Sequence, residues 1–286
     1  MPVRNRRVLL VSLLMSEVGN TVKIALREDI GSGDVSASLL DDKIVSAQII
    51  ARESAVICGI QYAQAAFLSL DEHIQIAWQL SDGDSIQAGQ VLGILSGSSR
   101  AIISAERVAL NFLQTLSAVA TQTQYLVNKI AHTNAQLLDT RKTLPGLRLA
   151  QKQAVQCGGG VNHRLGLYDC VMLKENHIIA AGSITQAVQS AGRKYPDLPL
   201  IVEVETLPQL AEALDLTNID RVLCDNFSTT DLMRAVKLAN HNLPLEASGN
   251  IDASTIVAVA ETGVDYISTG SITKNIRAID LSLRFT

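Results

Sequence analysis

The sequence predicts an α/β protein in which a β/α barrel of up to eight strands follows a mixed N-terminal segment, and three observations carry that expectation. From residue 135 onward short apolar runs alternate with longer amphipathic stretches, and the later runs recur roughly every twenty residues, the rhythm of right-handed β/α units. Each run ends in a polar or glycine signature, where barrel enzymes carry their chemistry. Before residue 103 the pattern is different: short stretches of β-formers broken by Gly, Asp and Ser.

The chain opens with Arg4, Arg6 and Arg7 ahead of an apolar run at 8–15. The run is short, Glu17 follows it and no small-x-small cleavage pattern appears, so it reads as a short first helix or an extended start rather than a secretory leader. Segments 45–58 and 75–80 read as strands, with turns at 81–85 and 96–99. Ser104 reads as the N-cap of a helix whose Val108, Phe112, Leu113, Leu116, Val119 and Ala120 form one apolar stripe. Barrel strands are expected at 135–138, 170–173, 198–204, 221–224, 243–247 and 264–267, with helices between them at 184–192, 207–214, 230–239 and 253–261.

With 286 residues and 47% hydrophobic content, the chain can bury a barrel and a smaller companion domain. A net charge of −4 and a pI of 5.7 give no general attraction to nucleic acid or anionic lipid, and no apolar run approaches bilayer-spanning length. Neither a nucleic-acid partner nor a membrane is therefore expected. Cys58, Cys157, Cys170 and Cys224 lie far apart with no C-x-x-C pair, which disfavours a zinc site or redox motif and predicts a reduced, cytoplasmic setting.

The signatures that end the apolar runs are Asp139-Thr140-Arg141-Lys142, Lys174-Glu175-Asn176-His177, Glu203-Val204-Glu205, Asp225-Asn226, Ser248-Gly249-Asn250 and Thr269-Gly270-Ser271. Turn and cap chemistry explains any one of them. It explains a lysine, a glutamate and an aspartate directly ending buried strands poorly, because unpaired charge there is costly. Between 140 and 178 six basic residues face only Asp169 and Glu175, reversing the sign of the whole chain. Arg148 and Lys152 fit a solvated helix face. Arg141, Lys142, Arg164 and Lys174, at strand ends or beside the glycine run 158–160, fit a pocket, with His163 and His177 as further donors.

Guanidinium forks match carboxylates and an ammonium suits phosphate, so the pocket suits a ligand carrying both anions. The triplets around Gly249 and Gly270 suit a phosphate seated on backbone N–H groups. Glu203 and Asp225 fit magnesium (Mg2+) bridged to substrate phosphates, or else simple pairing with Lys142 and Lys174. Glu205 shares the strand parity of Glu203, so spacing does not choose between them. A strand-end lysine, Lys174 or Lys142, also admits a Schiff-base aldolase, although that leaves the excess of anion-binding groups unexplained. A catalytically silent nucleotide-binding barrel is the remaining alternative.

In order along the chain, Arg27-Glu28-Asp29-Ile30-Gly31-Ser32-Gly33-Asp34, Ala105-Glu106-Arg107 through Leu113, Asp139-Thr140-Arg141-Lys142-Thr143, Gly158 through Arg164, Leu173 through His177, Val202 through Glu205, Asp225-Asn226 and Ala247 through Asn250 resemble the quinolinate phosphoribosyltransferase family over about residues 22–285. The resemblance implies a type II phosphoribosyltransferase: an N-terminal α/β sandwich domain over 1–118, with 275–286 packing back on it, and an incomplete, TIM-like α/β barrel over 119–274. It implies phosphoribosyl transfer from phosphoribosyl pyrophosphate to quinolinate with decarboxylation, by a homodimer in which Arg107 reaches the partner's site. Arg141, His163, Arg164 and Lys174 would line the quinolinate pocket, with Lys142 at its edge toward the sugar pyrophosphate, and Thr140 would be a further substrate-binding residue. Glu203 and Asp225 would hold the ribose hydroxyls and magnesium, and Ser248, Gly249, Asn250, Thr269, Gly270 and Ser271 would take the 5-phosphate. Lys142, Lys174, Glu203 and Asp225 would be the catalytic set. Departures from the family pattern at Ala118, Leu144 and Cys224 touch no charged group, and the intact arginines argue against the related branch of molybdenum-transport operons.

Overall fold

A computed structural model describes residues 3–286. The chain divides into two compact units. One comprises residues 9–124, 144–159 and 275–286; the other comprises 125–143 and 160–274 together with the start of the chain.

Helix α1 (Val3–Ile30), whose residues from 9 onward belong to the first unit, is considerably longer than a short first helix. The strands β1 (Ile44–Ala51), β3 (Gln75–Trp78) and β5 (Val91–Ser98) form an antiparallel sheet with the C-terminal strand β12 (Leu281–Phe285) in the order β12-β1-β5-β3. A small ladder joins β2 (Ala55–Val56) to β4 (Ser85–Ile86). The expected strand at 45–58 is thus two strands, broken at residues 52–54.

Ser96, Gly97 and Ser98 lie in β5 rather than in a turn. A Cβ on Gly97 would stand 2.7 Å from Ile74, and one on Gly93 2.8 Å from Trp78, so these glycines let the strand pass under bulky neighbours. Helix α2 (Ile60–Leu70) buries Tyr62, Ala63, Ala66 and Phe67. Helix α3 (Ser99–Lys129) begins directly after β5, ahead of the expected start, and Ser104 is no cap: its hydroxyl donates to Asp34 at 2.8 Å. Helix α4 (Arg148–Cys157) turns Ala150, Gln151, Lys152, Ala154 and Val155 inward. Lys152 is therefore not on a solvated face; it is fully buried, its charged end included.

The second unit is built on parallel strands β6 (Gln136–Leu138), β7 (Val171–Leu173), β8 (Leu200–Val204), β9 (Arg221–Asp225), β10 (Leu245–Ser248) and β11 (Tyr266–Ser268). Their order is β6-β11-β10-β9-β8-β7, so the first strand pairs with the last and the sheet curls into a barrel open at one seam. Val161 adds a parallel bridge to Leu138 at that seam. Helices α5 (Glu175–Ala181), α6 (Ile184–Lys194), α7 (Leu207–Leu214), α8 (Thr229–Ala239) and α9 (Ile256–Ala260) fall between the strands, and α10 (Ser271–Lys274) follows the last. No described helix is long and apolar enough to cross a membrane.

Local chemistry fixes these boundaries. The hydroxyls of Ser183 and Ser228 and the Thr206/Gln209 capping box open α6, α8 and α7, each worth about 1 kcal/mol. At the start of the strands one device recurs: Asp220 accepts the Leu200 N–H at 2.7 Å, and Asp265 accepts the Leu245 N–H at 2.8 Å. The strand beginnings are thereby closed off with satisfied backbone groups, leaving the strand ends for chemistry.

Candidate active site

The strand ends of the barrel unit gather charge of both signs. Lys174 follows β7 and pairs directly with Glu203, near the end of β8. Glu205 lies one residue past that strand, exposed, and its N–H donates to Gln209 Oε1 in the capping box. Glu203, rather than Glu205, is therefore the acid turned to the lysine.

Asp225 ends β9. Burial raises its carboxyl above the ordinary range and Glu203 raises it further, while Lys174 and Lys142 pull the other way. Arg164 is pulled below its ordinary value by burial first and by the Arg141 guanidinium second, with Glu203 among the groups that oppose this. Arg141, Arg164, Lys174, Glu203, Asp225 and Lys142 thus share one electrostatic neighbourhood.

The glycines are set into it. A Cβ on Gly270 would stand 2.9 Å from Lys142 Cδ and 3.3 Å from Thr140 Oγ1, so Lys142 lies against Gly270. Thr140 Oγ1 accepts the Lys142 N–H at 3.0 Å, and Thr273 donates to the Lys142 carbonyl at 2.8 Å. Gly249 has φ +106° and any Cβ there would collide with Asn226, whose side chain donates to Asp225 at 2.8 Å. Ser248 accepts the Asn226 N–H at 2.8 Å, and Asn250 is exposed beyond it. Thr269 Oγ1 donates to the Ile251 carbonyl at 2.7 Å, lies 2.9 Å from Ser271 Oγ and accepts the Ser271 N–H at 3.1 Å.

Neither Arg107 nor His163 is among the groups that act on Asp225 and Arg164. Arg107 is exposed on α3, in the first unit. His163 is buried and turned inward: its Nδ1 accepts the Arg164 N–H at 2.7 Å and its Nε2 faces Glu246 Oε2 at 3.4 Å.

Residues that sequence reasoning passes over hold the ring in place. Asp139 is fully buried and accepts Asn162 Nδ2 at 2.6 Å and the His163 N–H at 2.8 Å. Asp169 accepts the N–H groups of Leu165 and Gly166, each at 3.0 Å. The residues on either side of Arg164 are therefore held, His163 by Asp139 and Leu165 by Asp169. Beneath it, fully buried Glu246 lies 3.0 Å from Arg221, which in turn stacks on Tyr266 at 4.4 Å. An acid interrupting the apolar run at 243–247 is the signal that could have found it.

The chemistry this arrangement offers is that of a phosphorylated, carboxylate-bearing ligand: forks for carboxylates, ammoniums for phosphate and two acids for hydroxyls or a cation. A barrel open at one seam with such a mouth, joined to an N-terminal sheet unit, defines the class of barrel phosphoribosyltransferases. Family models for the C-terminal and N-terminal domains of quinolinate phosphoribosyl transferase match residues 119–284 and 34–117, and the chain belongs to that family. It is similar to the chloroplastic nicotinate-nucleotide pyrophosphorylase (carboxylating) of Arabidopsis thaliana, 40% identical over 284 residues, covering 92% of this chain and 81% of that one. The probable nicotinate-nucleotide pyrophosphorylase (carboxylating) of Bacillus subtilis is 40% identical over 261 residues, covering 91% and 90%. The solved structure of the nicotinate-nucleotide pyrophosphorylase from Francisella tularensis superposes with TM-score 0.93 at 47% identity, covering 95% of this chain and 96% of that one.

Proposed function

We propose that this enzyme transfers the phosphoribosyl group of phosphoribosyl pyrophosphate to quinolinate with decarboxylation, giving nicotinate mononucleotide, CO2 and pyrophosphate for NAD biosynthesis. The observation that carries the reading is the shared neighbourhood of Arg141, Arg164, Lys142, Lys174, Glu203 and Asp225. Arg141 and Arg164 grip the dicarboxylate, helped by Arg107 from the partner of a homodimer. Lys142 and Lys174 neutralise charge developing on the departing pyrophosphate, and Glu203 and Asp225 orient the ribose hydroxyls and favour a cationic sugar ring. The glycine triplets 248–250 and 269–271 take the 5-phosphate.

The pyridine nitrogen attacks C1 of the ribose as the C1–O bond to pyrophosphate breaks. The nitrogen is then cationic, so the electron pair left when CO2 departs from the adjacent carbon is stabilised by that charge until the carbon takes a proton from water, and the protein need only hold the second carboxylate still. Placing both reactants near contact supplies several kcal/mol of the barrier lowering, on the order of that seen for well-oriented groups.

Glu203 and Asp225 fit a magnesium ion delivered with the diphosphate, since Glu203 raises the cost of the Asp225 charge and a cation would relieve it. When bound, the ion supplies positive charge at the leaving group. His163 acts from behind, through Arg164. Unpaired cysteines and the absence of any general nucleic-acid or lipid attraction support a cytoplasmic enzyme acting on small molecules alone.

The test is to incubate the protein with quinolinate, phosphoribosyl pyrophosphate and magnesium. Release of CO2 together with nicotinate mononucleotide, and no product from nicotinate, is the expected outcome. Product from nicotinate alone would overturn the substrate assignment, and an imine trapped by borohydride on Lys174 or Lys142 would overturn the reaction class.

A further inference from the structure

The cysteines do not stay apart as their spacing suggests. Cys58, directly ahead of α2, and Cys157, the last residue of α4, meet in the first unit with Asp82 from the loop between β3 and β4. The two sulfurs and a carboxylate oxygen of Asp82 all lie within 4.8 Å of one another. We propose that Cys58, Cys157 and Asp82 bind a soft divalent cation of the zinc class, with water from an adjoining cleft completing the coordination.

The three segments are assembled by bonds that do not involve the thiols. The Cys58 N–H donates to Ser117 Oγ at 2.9 Å and the same hydroxyl donates back to the Cys58 carbonyl at 3.2 Å. Asp82 Oδ1 accepts the Ile60 N–H at 3.1 Å and Oδ2 accepts Gln153 Nε2 at 3.2 Å; Gln153 Oε1 in turn accepts Gln61 Nε2 at 2.6 Å. The Gly59 N–H is a further donor to this carboxylate, whose two oxygens together still have one lone pair left for a metal. Zinc bonds of about 2.3 Å to sulfur and 2.0 Å to oxygen set ligand atoms about 3.3–3.8 Å apart in a tetrahedron, so closure onto the ion asks for shifts of no more than about an ångström. A cleft of about 530 Å³ has Ile60, Gln61, Gln64, Trp78, Asp82 and Gln153 in its wall, which gives an entry path and room for the fourth ligand.

The same two sulfurs could close a disulfide, and the third group separates the readings. A disulfide would leave the Asp82 carboxylate with no part in the bond, whereas a divalent cation takes a bond from each of the three groups and releases two thiol protons.

The test uses the full chain, stripped with chelator and kept reduced. Zinc titrated against a chromophoric chelator should load one equivalent per chain, and cobalt in its place should give the absorption of thiolate-to-metal charge transfer with tetrahedral d–d bands. Cys157→Ser should lose that charge-transfer band in large part, and Asp82→Asn should weaken uptake by roughly tenfold or more. Circular dichroism checks that each variant folds, and the cobalt spectrum of the parent protein decides the matter without them. Metal uptake equal in parent and folded Cys157→Ser, cobalt binding without a thiolate band, or no uptake by the reduced parent would each overturn the proposal. Loss of two thiols to a Cys58–Cys157 disulfide in a protein that takes up no zinc when reduced would replace it by the redox reading.

Discussion

His163 Nε2 faces Glu246 Oε2 at 3.4 Å inside the barrel unit, where the acid is fully buried. Because Nδ1 accepts the Arg164 N–H, the ring proton belongs on Nε2, toward the acid. The imidazole thus links a buried ion pair to the backbone of a substrate-facing arginine, and acts as a positioning residue.

Glu246→Gln should cost about 3–5 kcal/mol in urea unfolding, because it leaves Arg221 without its buried counter-charge. Burial alone would raise the Glu246 carboxyl, but His163, Arg221 and Ser268 together hold it below its ordinary value of 4.5. A depressed carboxyl stabilises the fold fully above the unfolded value, and that stabilisation is lost as pH falls below 4.5 toward the folded value. The parent should therefore lose stability over that window while the glutamine variant changes less. An identical acid slope in both proteins would count against the assignment.

Asp225 has the opposite sign. Its carboxyl is raised, by burial first and Glu203 second, so ionisation costs the folded state more than the unfolded chain. The cost is absent below the unfolded value of 3.8 and complete once pH exceeds the folded value. Asp225→Asn should accordingly have a Tm at pH 7 equal to or above that of the parent, while kcat/KM falls roughly 10²-fold or more. A variant that unfolds earlier yet turns over normally would reverse this reading.

The strand ends could be read from the sequence because a buried parallel strand shows as an apolar run and its end as a sudden change of residue type. Lys174, Glu203 and Asp225 each mark such an end. Glu246 is not legible because a lone acid in an apolar run carries no periodic signal, and its partners come from elsewhere in the chain, Arg221 from β9 and His163 from the segment before β7. Gly97 has the look of a turn former because the sequence does not say that Ile74 lies against it. Lys152 has the look of a solvated residue because its neighbours in sequence are polar, although α4 buries that face. Cys58 and Cys157 meet only through tertiary folding, which spacing rules cannot register.

Alanine at Arg141 or Arg164 should weaken quinolinate binding in titration calorimetry while leaving phosphoribosyl pyrophosphate affinity nearly intact, since each removes a fork for carboxylate. Arg107→Ala should do the same, although Arg107 is exposed on α3. If Arg107 serves the partner's site, mixing inactive Arg107→Ala and Arg141→Ala dimers and allowing subunits to exchange should restore about a quarter of the parent activity, because half the dimers are mixed and each mixed dimer has one intact site. No recovery after verified exchange would place Arg107 outside the partner's site.

The two site glycines should respond differently to the same added methyl group. Gly249 has φ +106° and lies against Asn226, so Gly249→Ala strains the backbone and displaces the side chain that holds Asp225. Its expected cost is about 1–3 kcal/mol of stability along with lost activity. Gly270 has no positive φ, and a Cβ there would meet Lys142 Cδ at 2.9 Å, Lys142 Cβ at 3.0 Å and Thr140 Oγ1 at 3.3 Å. Gly270→Ala should therefore cost less stability than Gly249→Ala while kcat/KM for phosphoribosyl pyrophosphate drops roughly 10- to 100-fold, because the lysine is moved rather than removed. Equal destabilisation of the two variants, or an unaffected kcat/KM in Gly270→Ala, would show that Lys142 does not depend on that close contact.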